Sequence, residues 1–238
     1  MKDNNQSKQA FKDDLLKEKG LNIHAIFDLN TIPDSLINSI KCTGVDTDRF
    51  NQLIVVGHLG GRLWDCVTAE VIHSDHPVDD FTLTVVKLFF KQNYSNNQFE
   101  IIYPGEQVIG LQQLGTLAGW HFSSPFKVGV NDKWGSWFAY RAVLLADTDF
   151  AITSPLDSES PCIRCQQKPC IKACPADALA SGELSFDSCI NYRKQPLSSC
   201  QLICHARVSC PAGAEYCYSD EQLNYHYAVS MKTIEEFY

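Results

Sequence analysis

Residues 161–179 read PCIRCQQKPCIKACPADAL and place four thiols within thirteen positions, the last followed by proline. So dense a run of cysteines must converge on a shared partner, and three chemistries use such runs: disulfides, zinc and iron–sulfur clusters. The eleven cysteines are unevenly spread. Cys42 and Cys66 stand alone, whereas nine lie between Cys162 and Cys217. The N-terminal stretch MKDNNQSKQAFKDDLL is polar and lacks the apolar core of a secretory signal. No run approaches the roughly 20 apolar residues of a membrane span. A soluble, cytoplasmic protein with no membrane partner is therefore expected. In a reducing compartment crowded cysteines serve metal or redox chemistry rather than a disulfide framework.

The spacing narrows the choice. Cys162-x2-Cys165-x4-Cys170-x3-Cys174-Pro175 is the bacterial ferredoxin run with two residues added before its third cysteine. A looser set follows: Cys189, Cys200, Cys204 and Cys210-Pro211. In two-cluster ferredoxins the cysteine before proline crosses to the other cluster, so two Cys-Pro pairs imply two clusters. One [4Fe–4S] cluster is accordingly assigned to Cys162, Cys165, Cys170 and Cys210, and the other to Cys174, Cys189, Cys200 and Cys204. Soft, anionic thiolate suits iron in such clusters. Structural zinc also uses Cys-x2-Cys pairs, but it explains neither the paired Cys-Pro signals nor eight thiols. The gaps around Cys204 depart from a regular second motif, which leaves Cys217 as a substitute for Cys200 or Cys204. CPADAL is expected to open a short helix beyond the first motif.

At 238 residues, 45% of them hydrophobic, the chain has material for two unequal domains. Its net charge of -8 argues against a general nucleic-acid-binding surface, and nucleic acid is not expected as a partner. The passage LLADTDFAITSPLDSESP turns from apolar strand to Ser, Pro and acids, a linker near residues 147–161. Domains at 1–155 and 156–238 follow. In the first, FNQLIVVGHLG, QFEIIYP and GSWFAYRAVLLA read as strands, and SDHPVDDFTLTVVKLFFKQ as a helix capped by Ser74 or Asp75, with Phe81, Val85 and Leu88 on one face. GEQVIGLQQLGTLAGW reads as a helix loosened by glycines. A sheet covered by helices gives an α/β or α+β sandwich.

These residues also carry a resemblance. The cysteine module preceded by LAGW and GSWFAYRAVLLAD resembles epoxyqueuosine reductase and the reductive dehalogenases, cobalamin-dependent reductases that join a nitroreductase-like corrin-binding domain to a two-cluster ferredoxin-like domain. HPVDDFTLTVVKLFF, FEIIYP, WGSWFAYRAVLL and YSDEQLNYHY are similar to CblC-type cobalamin-processing proteins, which share the corrin-binding fold. The resemblance implies cobalamin in the N-terminal domain, fed with electrons from the clusters. It also implies roles for residues. Tyr103 stands seventeen positions before Trp120, where epoxyqueuosine reductase has a proton-donating aspartate before LGW. Tyrosine replaces the acid here, as in reductive dehalogenases, which moves the donor's ordinary pKa from about 4 to about 10. Arg141 of WFAYRAV matches an arginine of the CblC-type pattern that faces the corrin or a bound anion. Independently of the resemblance, Trp137 is the one of the four tryptophans, Trp64, Trp120, Trp134 and Trp137, expected to stack on a corrin or flavin. The tRNA-modifying relatives append a helical-repeat domain, whereas this sequence stops at Tyr238, which sets the epoxyqueuosine substrate in doubt.

The expectation is an iron–sulfur oxidoreductase that binds a corrinoid and reduces it through two [4Fe–4S] clusters. It would act on a small-molecule substrate or process the corrinoid itself, with electrons from an external donor such as a ferredoxin, a flavodoxin or a reductase. The alternative is a ferredoxin-type electron carrier whose N-terminal domain binds a protein partner or a flavin and no corrinoid.

Overall fold

The computed structural model of the chain describes residues 8–42, 44–105 and 108–238. Two compact units emerge, one from residues 1–118 and 139–155, the other from residues 119–138 and 156–238. The chain crosses finally from the first to the second at Pro155–Leu156, inside the Ser/Pro-rich stretch. Segment 119–138 belongs to the second unit, whereas the sequence reading had placed it in the first domain.

Unit 1 contains α1 (Asp14–Glu18), β1 (Ile23–Asp28), α2 (Asp34–Lys41), β2 (Gln52–Leu59), α3 (Arg62–Ala69), α4 (Pro77–Asn93), β3 (Phe99–Tyr103) and α5 (Leu111–Leu117), and is completed by β4 (Phe138–Ala146). Glu106 and Gln107, at the start of the stretch read as a glycine-loosened helix, lie outside the described residues; the helix itself begins at Leu111. The sheet order is β1-β2-β4-β3. β1 and β2 are antiparallel, as are β3 and β4. The Asn51 amide donates to the Ala146 carbonyl, and Gly57 lies against the Ala139 carbonyl, so β2 runs antiparallel to β4 as well. An all-antiparallel sheet with helices is the α+β solution. β2 lies inside the sheet and is buried along nearly its whole length, which explains why LIVV is a continuous apolar run without alternation.

Helix α4 starts with Pro77 at its first position and Asp79 and Asp80 in its first turn, where proline costs no hydrogen bond and carboxylates meet the positive helix end. His76 rather than Ser74 or Asp75 precedes it. Its buried stripe comprises Val78, Phe81, Thr82, Val85, Val86, Phe89 and Phe90. Leu88 is 37% exposed, because at 100° per residue it falls at the margin of that stripe. Helix α4 packs on α1 and α3. The rings of Phe11, Phe89, Tyr94 and Phe150 meet edge-on or tilted.

Unit 2 carries α6 (Pro161–Arg164), α7 (Pro169–Lys172), α8 (Phe186–Arg193), α9 (His205–Val208) and α10 (Asp220–Phe237). CPADAL forms turns and no helix. The helical turn α7 lies before Cys174, and the next true helix begins at Phe186, where Ser185 caps it. Segment 119–138 is folded on itself by Asn131, whose amide donates to the Gly119 and Trp120 carbonyls. It is joined to the cysteine loops at Gly135 and Gly213, both at positive φ. A Cβ at Gly135 would overlap the Ala212 carbonyl, and one at Gly213 would overlap the Trp134 backbone. Only two glycines allow these backbones to touch.

Gln52 offers a direct test of the sheet core. Its buried amide donates to the Phe150 carbonyl at 2.9 Å and accepts from the Phe150 amide at 2.9 Å and the Thr148 hydroxyl at 2.8 Å. Gln52→Leu leaves three buried polar groups unpaired and should lower stability by about 3 kcal/mol, read as the midpoint shift in urea unfolding.

Candidate functional site

Two cavities in unit 2 gather eight thiols. The first, of about 100 Å³, is lined by Cys162, Cys165, Cys170 and Cys210, together with Pro161, Pro169, Pro211 and Phe126. The second, of about 340 Å³, is lined by Cys174, Cys189, Cys200 and Cys204. Each cavity is therefore shared between segments distant in the chain: Cys210 joins the first motif, while Cys174 leaves it for the second group.

The local folding explains the separation. Lys168 adopts a left-handed backbone conformation before Pro169, so the chain turns sharply and sends Cys170 inward, where it is buried. Cys170 packs with Phe126, Leu179 and Ala206, and Cys174, Cys204 and Cys210 lie against this small core. Phe126 lines both cavities and so stands between them. Cys217 lines neither. It is exposed, its thiol meets the Tyr218 carbonyl, and its charged neighbours are Arg207 and Asp220. It does not replace Cys200 or Cys204 in the second group.

The shape of the thiol groups bears on the metal. A tetrahedral zinc with Zn–S bonds of about 2.3 Å draws its sulfurs to within about 4 Å of one another. Among the described residues no three His, Cys, Asp or Glu side chains converge closely enough to hold a single metal ion. The thiols instead face inward around voids, which suits a polynuclear cluster whose corners each need one sulfur. Burial raises the Cys162, Cys170, Cys189, Cys200 and Cys210 thiols above their ordinary range, and neighbouring cysteines push in the same direction. A bound metal ion would supply positive charge that reverses this.

The other expected residues are placed separately. Tyr103 ends β3 in unit 1, just past an irregularity in its pairing with β4. Burial raises its pKa, while the nearby Arg141 guanidinium opposes the rise and Asp79 adds to it. Arg141, on β4, donates from Nε to Nδ1 of the fully buried His58 at 2.9 Å. Tyr103, Arg141 and His58 thus form a polar neighbourhood within unit 1. Trp137 is different. It is 1% exposed, packs with Tyr218 and Leu223, and has the Arg207 guanidinium 4.7 Å from its ring centre and the Tyr218 ring at 5.4 Å. Its ring is covered by its own unit, so the sequence reading of Trp137 as a cofactor-stacking residue is corrected to a core role.

Several residues of this region were not legible as functional in the sequence: Phe126 between the cavities, and Arg193, Arg207 and Tyr227 around the second. The one available signal was the position of Arg207 midway between Cys204 and Cys210.

The chain folds as epoxyqueuosine reductases do. An epoxyqueuosine reductase solved with an epoxyqueuosine-modified tRNA stem loop matches 90% of this chain and 68% of its own length, with TM-score 0.53 and 14% identity. The Bacillus subtilis epoxyqueuosine reductase matches 88% of this chain and 67% of its own, with TM-score 0.52 and 14% identity. A catabolic reductive dehalogenase matches 90% of this chain and 32% of its own at TM-score 0.48 and 11% identity, too distant to build on. No protein-family profile matches, and no curated protein is similar in sequence. At such identities the likeness is one of fold. Among the described residues no helix is long and apolar enough to cross a membrane.

The thiol environment generates a prediction for the metal-free chain. A raised folded pKa means the folded state holds its protons more tightly, so stability is full below the unfolded thiol pKa and falls as pH rises above it. Urea midpoints of the metal-free protein should hold from about pH 7 to about pH 8.5 and drop as pH rises beyond that. A flat profile would contradict the burial of these thiols.

Proposed function

We propose that this protein is an iron–sulfur oxidoreductase whose two cavities hold two [4Fe–4S] clusters in a ferredoxin-like module, and whose nitroreductase-like unit 1 binds a corrinoid that the clusters reduce. The observation that carries the reading is the sorting of eight thiols into two groups of four around separate voids. When bound, such clusters supply one-electron transfer. The chain's own residues do the rest. Cys162, Cys165, Cys170 and Cys210 hold the first cluster, and Cys174, Cys189, Cys200 and Cys204 the second. Phe126 and the small core around Cys170 keep water from the space between them.

The corrinoid rests on a narrower base, the fold shared with epoxyqueuosine reductase and the Tyr103–Arg141 neighbourhood. Tyr103 supplies a phenol that keeps its proton at neutral pH, since burial raises its pKa. Arg141, oriented by His58, supplies a fixed positive charge for an anionic group. With these two groups the protein works either as a reductase, Tyr103 giving a proton to an organic substrate, or as a corrinoid-processing protein of the CblC kind. Negative net charge is no argument against an RNA substrate, since a protein of this fold is solved with a tRNA stem loop.

Anaerobic reconstitution should load about eight irons per chain, four per cluster, with the spectra of cubane clusters, and added cobalamin should change the visible spectrum on reduction. Cys210→Ala should remove the cluster of the first cavity and Cys217→Ser should change nothing. Four irons in the unsubstituted protein, or zinc alone, would remove the two-cluster reading.

Tyr103→Phe separates the functional alternatives. For a reductase, turnover should fall by ~10²–10⁴, the usual worth of a positioned general acid, with cobalamin affinity and iron content unchanged. Unchanged electron transfer with no organic substrate turned over would indicate processing of the corrinoid or an electron carrier.

A further inference from the structure

Two arginines beside the second cavity are buried without an acidic partner. Arg193 and Arg207 are each 8% exposed, and among the described residues neither meets a carboxylate within ion-pair distance. Their hydrogen bonds go to neutral groups. Arg193 lines the second cavity and donates to the Cys200 carbonyl at 3.0 Å, the Ser230 hydroxyl at 3.0 Å and the Tyr227 carbonyl at 3.3 Å. Arg207 donates to the Ser136 carbonyl at 2.6 Å and lies over the rings of Trp137 and Tyr218. Neutral partners satisfy N–H groups but leave the charge. A buried, uncompensated guanidinium bears an uncompensated desolvation penalty.

Both arginines lie toward sulfurs of the second group, though not the same ones. Arg193 is a charged neighbour of Cys189. Tyr227 lines the second cavity, carries the Arg193 guanidinium over its ring at 5.5 Å, and has Arg207 and Cys204 as neighbours. The first cavity has no such arrangement: the cation in its lining is Lys168, which is exposed and hydrated.

We propose that Arg193 and Arg207, the latter through Tyr227, are the counter-charges of the cluster held by Cys174, Cys189, Cys200 and Cys204, and that they poise it at a higher potential than the cluster of the first cavity. The inference rests on the two-cluster reading above. Reduction adds one electron and no proton to a cluster already negative, so a fixed buried cation stabilises the reduced form more than the oxidised one, and a hydrogen bond to a ligating sulfur acts in the same direction. The first electron entering the module from an external donor then resides at the second cavity.

The test is a paramagnetic-resonance redox titration of the reconstituted full chain, with dithionite as electron source and iron counted in every sample. Two one-electron waves are expected, and Cys210→Ala should keep only the higher. Arg193→Gln and Arg207→Gln should each shift the reduced-to-oxidised ratio of the higher wave at least about tenfold toward oxidised, about 59 mV for one electron, and leave the lower wave in place. Arg193→Lys, which keeps the charge and loses the fork, should hold the higher wave near its original position. Movement of neither wave, or of the lower one, would overturn the proposal. If a Gln variant drops to four irons, retention of eight by Arg193→Lys supports charge compensation, and equal loss in the Lys variant overturns it by making the arginine a structural clamp. Fewer than eight irons in the unsubstituted protein strikes the two-cluster reading itself and is told apart by that count alone.

Discussion

Each thiol group of the second unit is closed by a cysteine from outside its own stretch of chain, and the other contacts of the module serve that exchange. Cys210 lies forty positions beyond Cys170, yet both line one cavity, while Cys174, only four positions from Cys170, faces the other. A loop of that length costs about 3 kcal/mol in its length-dependent closure entropy alone. Without a bound cluster it must be held by packing. The packing is small: Phe126, Cys170, Leu179 and Ala206 are its buried members. Bridging ligands that close long loops gain the most from being bound, so clusters held by Cys210 and Cys174 would stabilise the same fold that positions them.

Segment 119–138 shows how the rest of the chain supports this closure. It belongs to the second unit although it precedes β4 of the first. It contributes Phe126 between the cavities, and through Gly135 it touches the backbone at Ala212 and Gly213, just after Cys210-Pro211. Arg207 fastens the same segment from the other side through Ser136. The WGSW stretch, which in the sequence looked like part of a cofactor site, is explained by these contacts: glycine for backbone approach, serine for the guanidinium, and Trp137 as a wall of the core.

The sequence was most informative where chemistry restricts residue type. Cysteine spacing with two Cys-Pro pairs divides the thiols into the same two groups that line the two cavities. Strands β2, β3 and β4 and helix α4 were legible from apolar runs, proline and capping acids. Strand β1 was not, since its buried apolar run, Ala25, Ile26 and Phe27, is only three residues long between His24 and Asp28. The interleaving of segment 119–138 was not legible either, because it depends on backbone contact between glycines far apart in the chain. Arg193 and Arg207 were invisible for a related reason. Arginine usually faces solvent, and only burial without a carboxylate makes these two notable.

That burial also separates the two parts of the site. Tyr103 and Arg141 sit among groups that would be satisfied in many strands, with His58 accepting from the guanidinium, and so their arrangement is compatible with several ligands. The thiol cavities are more demanding. Eight cysteines facing two voids, most of them with thiols raised by burial and mutual repulsion, form a poor arrangement for a metal-free protein, and two buried guanidiniums without acids form another. Each is costly alone. They would be mutually compensating if anionic clusters occupied the cavities, since iron would stabilise the thiolates and the cluster's negative charge the arginines.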